Sequence, residues 1–172
     1  MPSNDHSPEP CQPALHPSER PISSLRFAEQ FVVWAVRRWV AHRGDLAATW
    51  PLLREGFTKA GAGGGLVPLH EALTALGTAS REPLDVRCET CPGLGEGEAL
   101  ILAILTAFQA NDLDGGVAML RSFLPPAAVR IAGVQLCLLA ESLSDAGLRL
   151  AAAPAAAAAR PVASGRGLSL VH

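Results

Sequence analysis

Lysine is nearly missing from this 172-residue chain: Lys59 is the only one. Arginine supplies the rest of the 14 basic residues, against 16 Asp and Glu, for a formal charge of -2 and an isoelectric point near 6.2. No basic field is available to hold a nucleic-acid backbone, so nucleic acid is not expected as a partner. Long apolar runs are missing too. None approaches the roughly 20 residues that span a bilayer, so no transmembrane segment is expected. The opening MPSNDHSPEP has neither a basic n-region nor an apolar h-region, and no secretory signal is expected there. With cysteines only at 11, 88, 91 and 137, the expectation is a cytoplasmic protein with reduced thiols.

What is abundant is Ala, Arg, Gly and Pro, a skew that by codon association points to a bacterial genome rich in G and C. Residues 1–21 carry six prolines and little that could be buried, which predicts a disordered lead-in. Residues 151–172 are rich in Ala, with Pro154 and Pro161 breaking any helix, and read as a second disordered tail. Between them, 22–150 is expected to be one folded domain, long enough to bury a core without staples.

Helical signals fill that domain. A first helix is predicted from about Ser24 to His42, capped by Ser23 or Ser24 and ended by Gly44. Its periodicity puts Ala28, Phe31, Val32, Ala35 and Trp39 on the core side and Arg26, Glu29, Gln30 and Arg37 on the wet side. Thr49 with Pro51 in the first turn predicts a second helix from 49 or 50, ended by the GAGGG run at 61–65. A third starts near Pro68, and Ser80 to Arg87 reads as extended chain with no strand to pair with. The apolar run Ala99 to Phe108, rich in Leu and Ala and poor in β-branched residues, predicts a buried central helix over about 96–110. Asn111 or Asp112 should cap a short helix carrying Val117, Leu120 and Leu124. A last helix is expected over about 126–146, with Gly147 just beyond it. That last helix has two stripes: Val129, Ala132, Leu136, Leu139 and Leu143 as a core face, and Ile131, Val134 and Leu138 nearly opposite. A two-faced helix either sits centrally or offers its second face to a partner, so Ile131, Val134 and Leu138 are the candidate interaction surface.

Chemistry has few footholds. Cys88-x-x-Cys91 could be half of a zinc site, but neither a second C-x-x-C nor an H-x₃₋₅-H supplies the remaining ligands, so Cys137, His70 or His42 would have to arrive by folding. It could be a redox pair, yet Gly93-Leu94-Gly95 separates it from the following helix and no βαβ framework surrounds it. The preferred reading is plainer: two small residues close a turn ahead of the helix. GLGEGE at 93–98 lacks a Lys and puts Glu96 and Glu98 where phosphate would sit. His70-Glu71 opens like a zinc-protease helix, but Thr74 stands where the second ligand must be. Arg38 and His42, on the edge of the first helix's apolar side, could form a polar cluster with His70 and an acid such as Glu71 or Glu141, although such residues more often lay their stems on the core and their heads in water. The Trp and Arg residues of that helix also fit an interfacial membrane helix, but a core helix has the same pattern.

The Trp/Arg-rich FVVWAVRRWV, the loop and helix CETCPGLGEGEALILAILTAF, and the ending LAESLSDAGL together resemble small helical proteins of alphaproteobacteria grouped as domains of unknown function. The resemblance covers roughly residues 25–150 and implies an all-helical domain and no particular chemistry. The fold expected is therefore an all-α, single-domain bundle of five or six helices, with the 96–110 and 126–146 helices at its centre. The function expected is a non-enzymatic protein-interaction or regulatory module with a protein partner or a homodimer and no cofactor. The alternative is a thiol-based metal or redox sensor using Cys88 and Cys91, with zinc as its metal. No catalytic set is readable, which leans against an enzyme.

Overall fold

The computed structural model describes residues 20–151, so nearly all of both expected tails lies outside it. Six helices carry the all-α bundle, with no strand among the described residues: α1 (Phe27–Ala41), α2 (Leu46–Lys59), α3 (Leu66–Ala79), α4 (Glu96–Gln109), α5 (Leu113–Arg121) and α6 (Pro126–Asp145). Short 3-10 turns at Ile22–Ser24 and Gly63–Gly65 precede α1 and α3.

Helix starts follow the side chains that satisfy the first unpaired N–H groups. The capping serines expected at 23 or 24 lie in the 3-10 turn instead. The α1 helix begins after Arg26, whose N–H donates to the Glu29 carboxylate at 2.7 Å. Asp45, not Thr49, caps α2 by accepting from Ala48 N–H, so the helix starts at Leu46, ahead of the expected 49 or 50, and encloses Pro51. The 3-10 turn at 63–65 runs straight into α3, which starts at Leu66; Pro68 falls in its first turn, where its missing N–H costs nothing. Asp112 caps α5 through Gly115 N–H, and the residue before it, Asn111, takes a positive φ of 60°.

The core runs the length of α6. Its Ala132, Leu136, Leu139, Ala140 and Leu143 are buried against α3 and α4, with α5 alongside. The expected centre of α4 and α6 is thus right but incomplete, since α3 packs along α6 more extensively than α4 does. On the far side α1 lies across α2, α3 and α4, where Phe31 meets Phe57 edge-on at 4.9 Å. By length and composition alone α6 is long and apolar enough to span a membrane, although no segment of that kind was expected. Its Leu/Ala face is the one that fills the bundle core. At the bottom, the Gln109 amide donates to Leu148 C=O at 2.9 Å and accepts from Leu150 N–H at 2.9 Å, tying the chain after α6 back to α4.

Three helix contacts depend on glycine. A Cβ at Gly116 would lie 2.2 Å from the Phe108 ring, one at Gly56 2.5 Å from Trp34, and one at Gly65 2.9 Å from Leu139. Overpacking of this kind costs about 1–3 kcal/mol, so Gly116→Ala is expected to lower stability in urea unfolding by about that amount. Gly77 lies inside α3 with nothing near its would-be Cβ. Gly77→Ala should raise stability by about 0.4–1 kcal/mol in the same experiment.

Candidate functional site

The site begins with two residues expected to face water. Arg37 and Glu29 are buried, at 4% and 3% exposure. In FAEQFVVWAVRRWV apolar residues reach almost all round the helix, and nine of the fifteen α1 residues are buried, so a polar face as wide as the periodicity implied does not exist. Arg37 meets Glu98, in the first turn of α4, as a two-pronged pair: Nε to Oε1 at 2.7 Å and Nη2 to Oε2 at 2.9 Å. The same guanidinium donates to the carbonyls of Cys91 at 2.5 Å and Gly93 at 2.6 Å. Each Glu98 oxygen accepts a second bond, Oε1 from Arg87 N–H and Oε2 from Gly95 N–H. Four of the five guanidinium N–H groups and all four acceptor sites of the carboxylate are thereby used. A buried pair this fully bonded meets the condition under which burial of two charges is tolerated.

Around this pair the irregular stretch 80–95 folds back on α4. Asp85 C=O accepts from Gly97 N–H and the Asp85 carboxylate from Glu96 N–H, so the helix N-terminus is closed by the loop itself. Glycine at 95 and 97 is required there, because a Cβ at either would come within 2.5–2.8 Å of the Asp85 carbonyl oxygen. Ile22 N–H donates to Pro92 C=O at 2.8 Å and Leu94 N–H to Arg20 C=O at 2.9 Å, pairing the N-terminal segment with the loop. Three consecutive carbonyls, at 91, 92 and 93, are thus each held by a donor from elsewhere in the fold.

On this loop Cys88 and Cys91, both half-buried, are joined by a disulfide across a tight turn in which Cys91 N–H donates to Cys88 C=O. The reduced thiols expected at these positions are corrected by that bond. While it is closed neither sulfur is available to a metal, and among the described residues no three His, Cys, Asp or Glu side chains converge to hold one. Cys137, which was weighed as a third ligand, is on α6. Burial and the nearby Glu141 carboxylate push its thiol pKa up, so it is a poor nucleophile.

The expected cluster of Arg38, His42 and His70 divides in two. Arg38 and His42 do meet an acid, but it is Glu89 of the cysteine loop, not Glu71 or Glu141: Arg38 Nη1 lies 2.9 Å and His42 Nε2 3.7 Å from Glu89 Oε1. His70 is elsewhere. Its Nδ1 accepts from Trp39 Nε1–H at 3.0 Å and its ring takes the Trp50 ring edge-on at 5.5 Å. The sequence signal for Glu89 was its position between the two cysteines; the signal for Glu98 was the spacing Gly95-x-x-Glu98, an N3 carboxylate reaching back to a helix start. The third candidate group, Ile131, Val134 and Leu138, lies on the outward face of α6 at 55%, 58% and 44% exposure.

No protein-family model, no curated protein and no solved structure matches the chain.

Breaking a buried pair by removing one partner costs about 3–5 kcal/mol. Arg37→Met and Glu98→Gln are each expected to destabilise the protein within that range in denaturant unfolding. The double variant Arg37→Met/Glu98→Leu should lose clearly less than the sum of the two, because no charge is then left buried alone.

Proposed function

We propose that the protein is a non-enzymatic helical module for protein interaction or regulation, using the outward face of α6. The observation that carries this reading is the contrast between the two sides of one helix. Leu136, Leu139 and Leu143 are buried to within 1%, while Ile131, Val134 and Leu138 stand about half exposed in a row. Full burial of a side chain of this size stabilises by about 1.5–3 kcal/mol, and covering the exposed half of each would contribute about half of that, offset by the cost of association. Affinity capture from the source cell, with the wild-type chain and an Ile131→Asp/Val134→Asp variant as baits, tests it. A protein partner, or the chain itself, should be retained by the wild type and lost by the variant while both keep the same helical circular dichroism. Identical captures by both baits, with a monomer in sedimentation at tens of micromolar, remove the reading.

A second reading is favoured by the Cys88–Cys91 bond, namely a thiol-disulfide sensor. The bond closes a loop of only four residues, which in the loop-entropy account stabilises by about 2 kcal/mol. Arg37 and Glu98 hold the same loop by other means. The bond can therefore open, taking two electrons and two protons from a dithiol reductant, without loss of the fold. Thiol titration across glutathione buffers should show reversible opening with unchanged circular dichroism, and Cys88→Ser/Cys91→Ser should fold normally. Reduction that unfolds the protein ends this reading. Zinc content of the reduced protein, purified without chelator, distinguishes a metal sensor from a redox one.

A further inference from the structure

We propose that the cleft between α2 and α3 binds a small carboxylic acid with an apolar, preferably aromatic, body. The cleft has a volume of about 360 Å³ and is lined by Leu46, Ala47, Trp50, Pro51, Arg54 and His70. Ala47, Trp50, Pro51 and Arg54 recur at the spacing that puts them on one face of α2, away from Thr49, Leu53 and Phe57, which are buried. Leu46, Trp50 and Pro51 make an apolar wall. Proline has no N–H, so that wall offers no backbone donor at position 51.

The polar end is specified by hydrogen-bond chemistry. Indole is a donor only, so the Trp39 Nε1–H···Nδ1 bond requires that His70 Nδ1 carry no proton. While that bond holds, the ring proton is on Nε2, which makes no hydrogen bond among the described residues and is not among the buried unsatisfied atoms. His70 thus contributes a fixed N–H donor, with its ring further held by the edge of Trp50. Arg54 contributes a permanent positive charge. Its neighbour Glu55 is engaged by Lys59 at 2.6 Å, and Arg54 itself makes no ion pair among the described residues. One cation and one neutral donor beside a flat apolar wall fit a carboxylate whose body lies on Trp50. Because the cleft is open to solvent, binding is expected in the millimolar range.

The test is a titration of the ¹⁵N-labelled full chain with phenylacetate, read by NMR. Saturating shifts are expected at the Trp50 indole N–H and at the backbone amides of 46–50, 52–54 and His70. Phenylacetamide, the neutral isostere, should bind about tenfold more weakly, the lower end for a hydrogen bond to a charged group. Arg54→Gln should weaken phenylacetate by a similar factor, and Ala47→Trp, which fills the cleft from an exposed helix position, should abolish it. Both sites are exposed, and circular dichroism checks that each variant folds. The proposal is overturned by shifts that never saturate, by equal binding of the acid and the amide, by an unaltered affinity in Arg54→Gln, or by shifts confined to α6.

Discussion

The buried pair of Arg37 and Glu98 is the constraint on which the rest of the domain depends. Between α3 and α4 the chain runs some sixteen residues without regular structure, and such a stretch must find partners for its polar backbone or remain in water. One guanidinium and one carboxylate, from helices 61 residues apart in sequence, supply much of that need. They fix the cysteine loop against α1, close the start of α4 and give the N-terminal segment a surface to pair with. The two-pronged contact also joins α1 directly to the first turn of α4.

The candidate chemistry is distributed around this anchor. The disulfide lies on the loop that the pair holds and Glu89 of that loop meets Arg38 and His42 of α1 and its C-cap, whereas His70 belongs to the aromatic group of Trp39 and Trp50 on the α2–α3 side. The α6 stripe is on a third surface. Arg37 holds the loop through the Cys91 and Gly93 carbonyls and not through the sulfurs. The α6 stripe has the opposite character: its Ile131, Val134 and Leu138 are about half exposed and stand outside the buried core cluster.

The fold class was legible because helix signals are local. Apolar spacing from Ala99 to Phe108 and on the last helix, together with Gly147 beyond it, located α4 and α6 to within a residue. What sequence missed was set by contacts between distant segments. Arg37 looked wet because periodicity assigns a face by average hydropathy and cannot see a carboxylate arriving from residue 98. Thr49 looked like a cap because Thr-x-Pro is a common start, yet Asp45 offered the stronger acceptor one turn earlier. Of the candidate cluster, Arg38 and His42, four apart on one helix, both reach Glu89, while His70 could be separated only once its two aromatic neighbours, Trp39 and Trp50, were in place.

The three close approaches of glycine to a large side chain have a mechanical meaning. Trp34 rests in the notch at Gly56, Leu139 against Gly65 and Phe108 over Gly116. Along α2 and α5 the residues one turn to either side of Gly56 and Gly116 carry a Cβ, whereas Gly65 follows two further glycines. Sliding α2 past Trp34, or α5 past Phe108, by one turn would drive the ring against that Cβ, so these two contacts resist shear by overpacking.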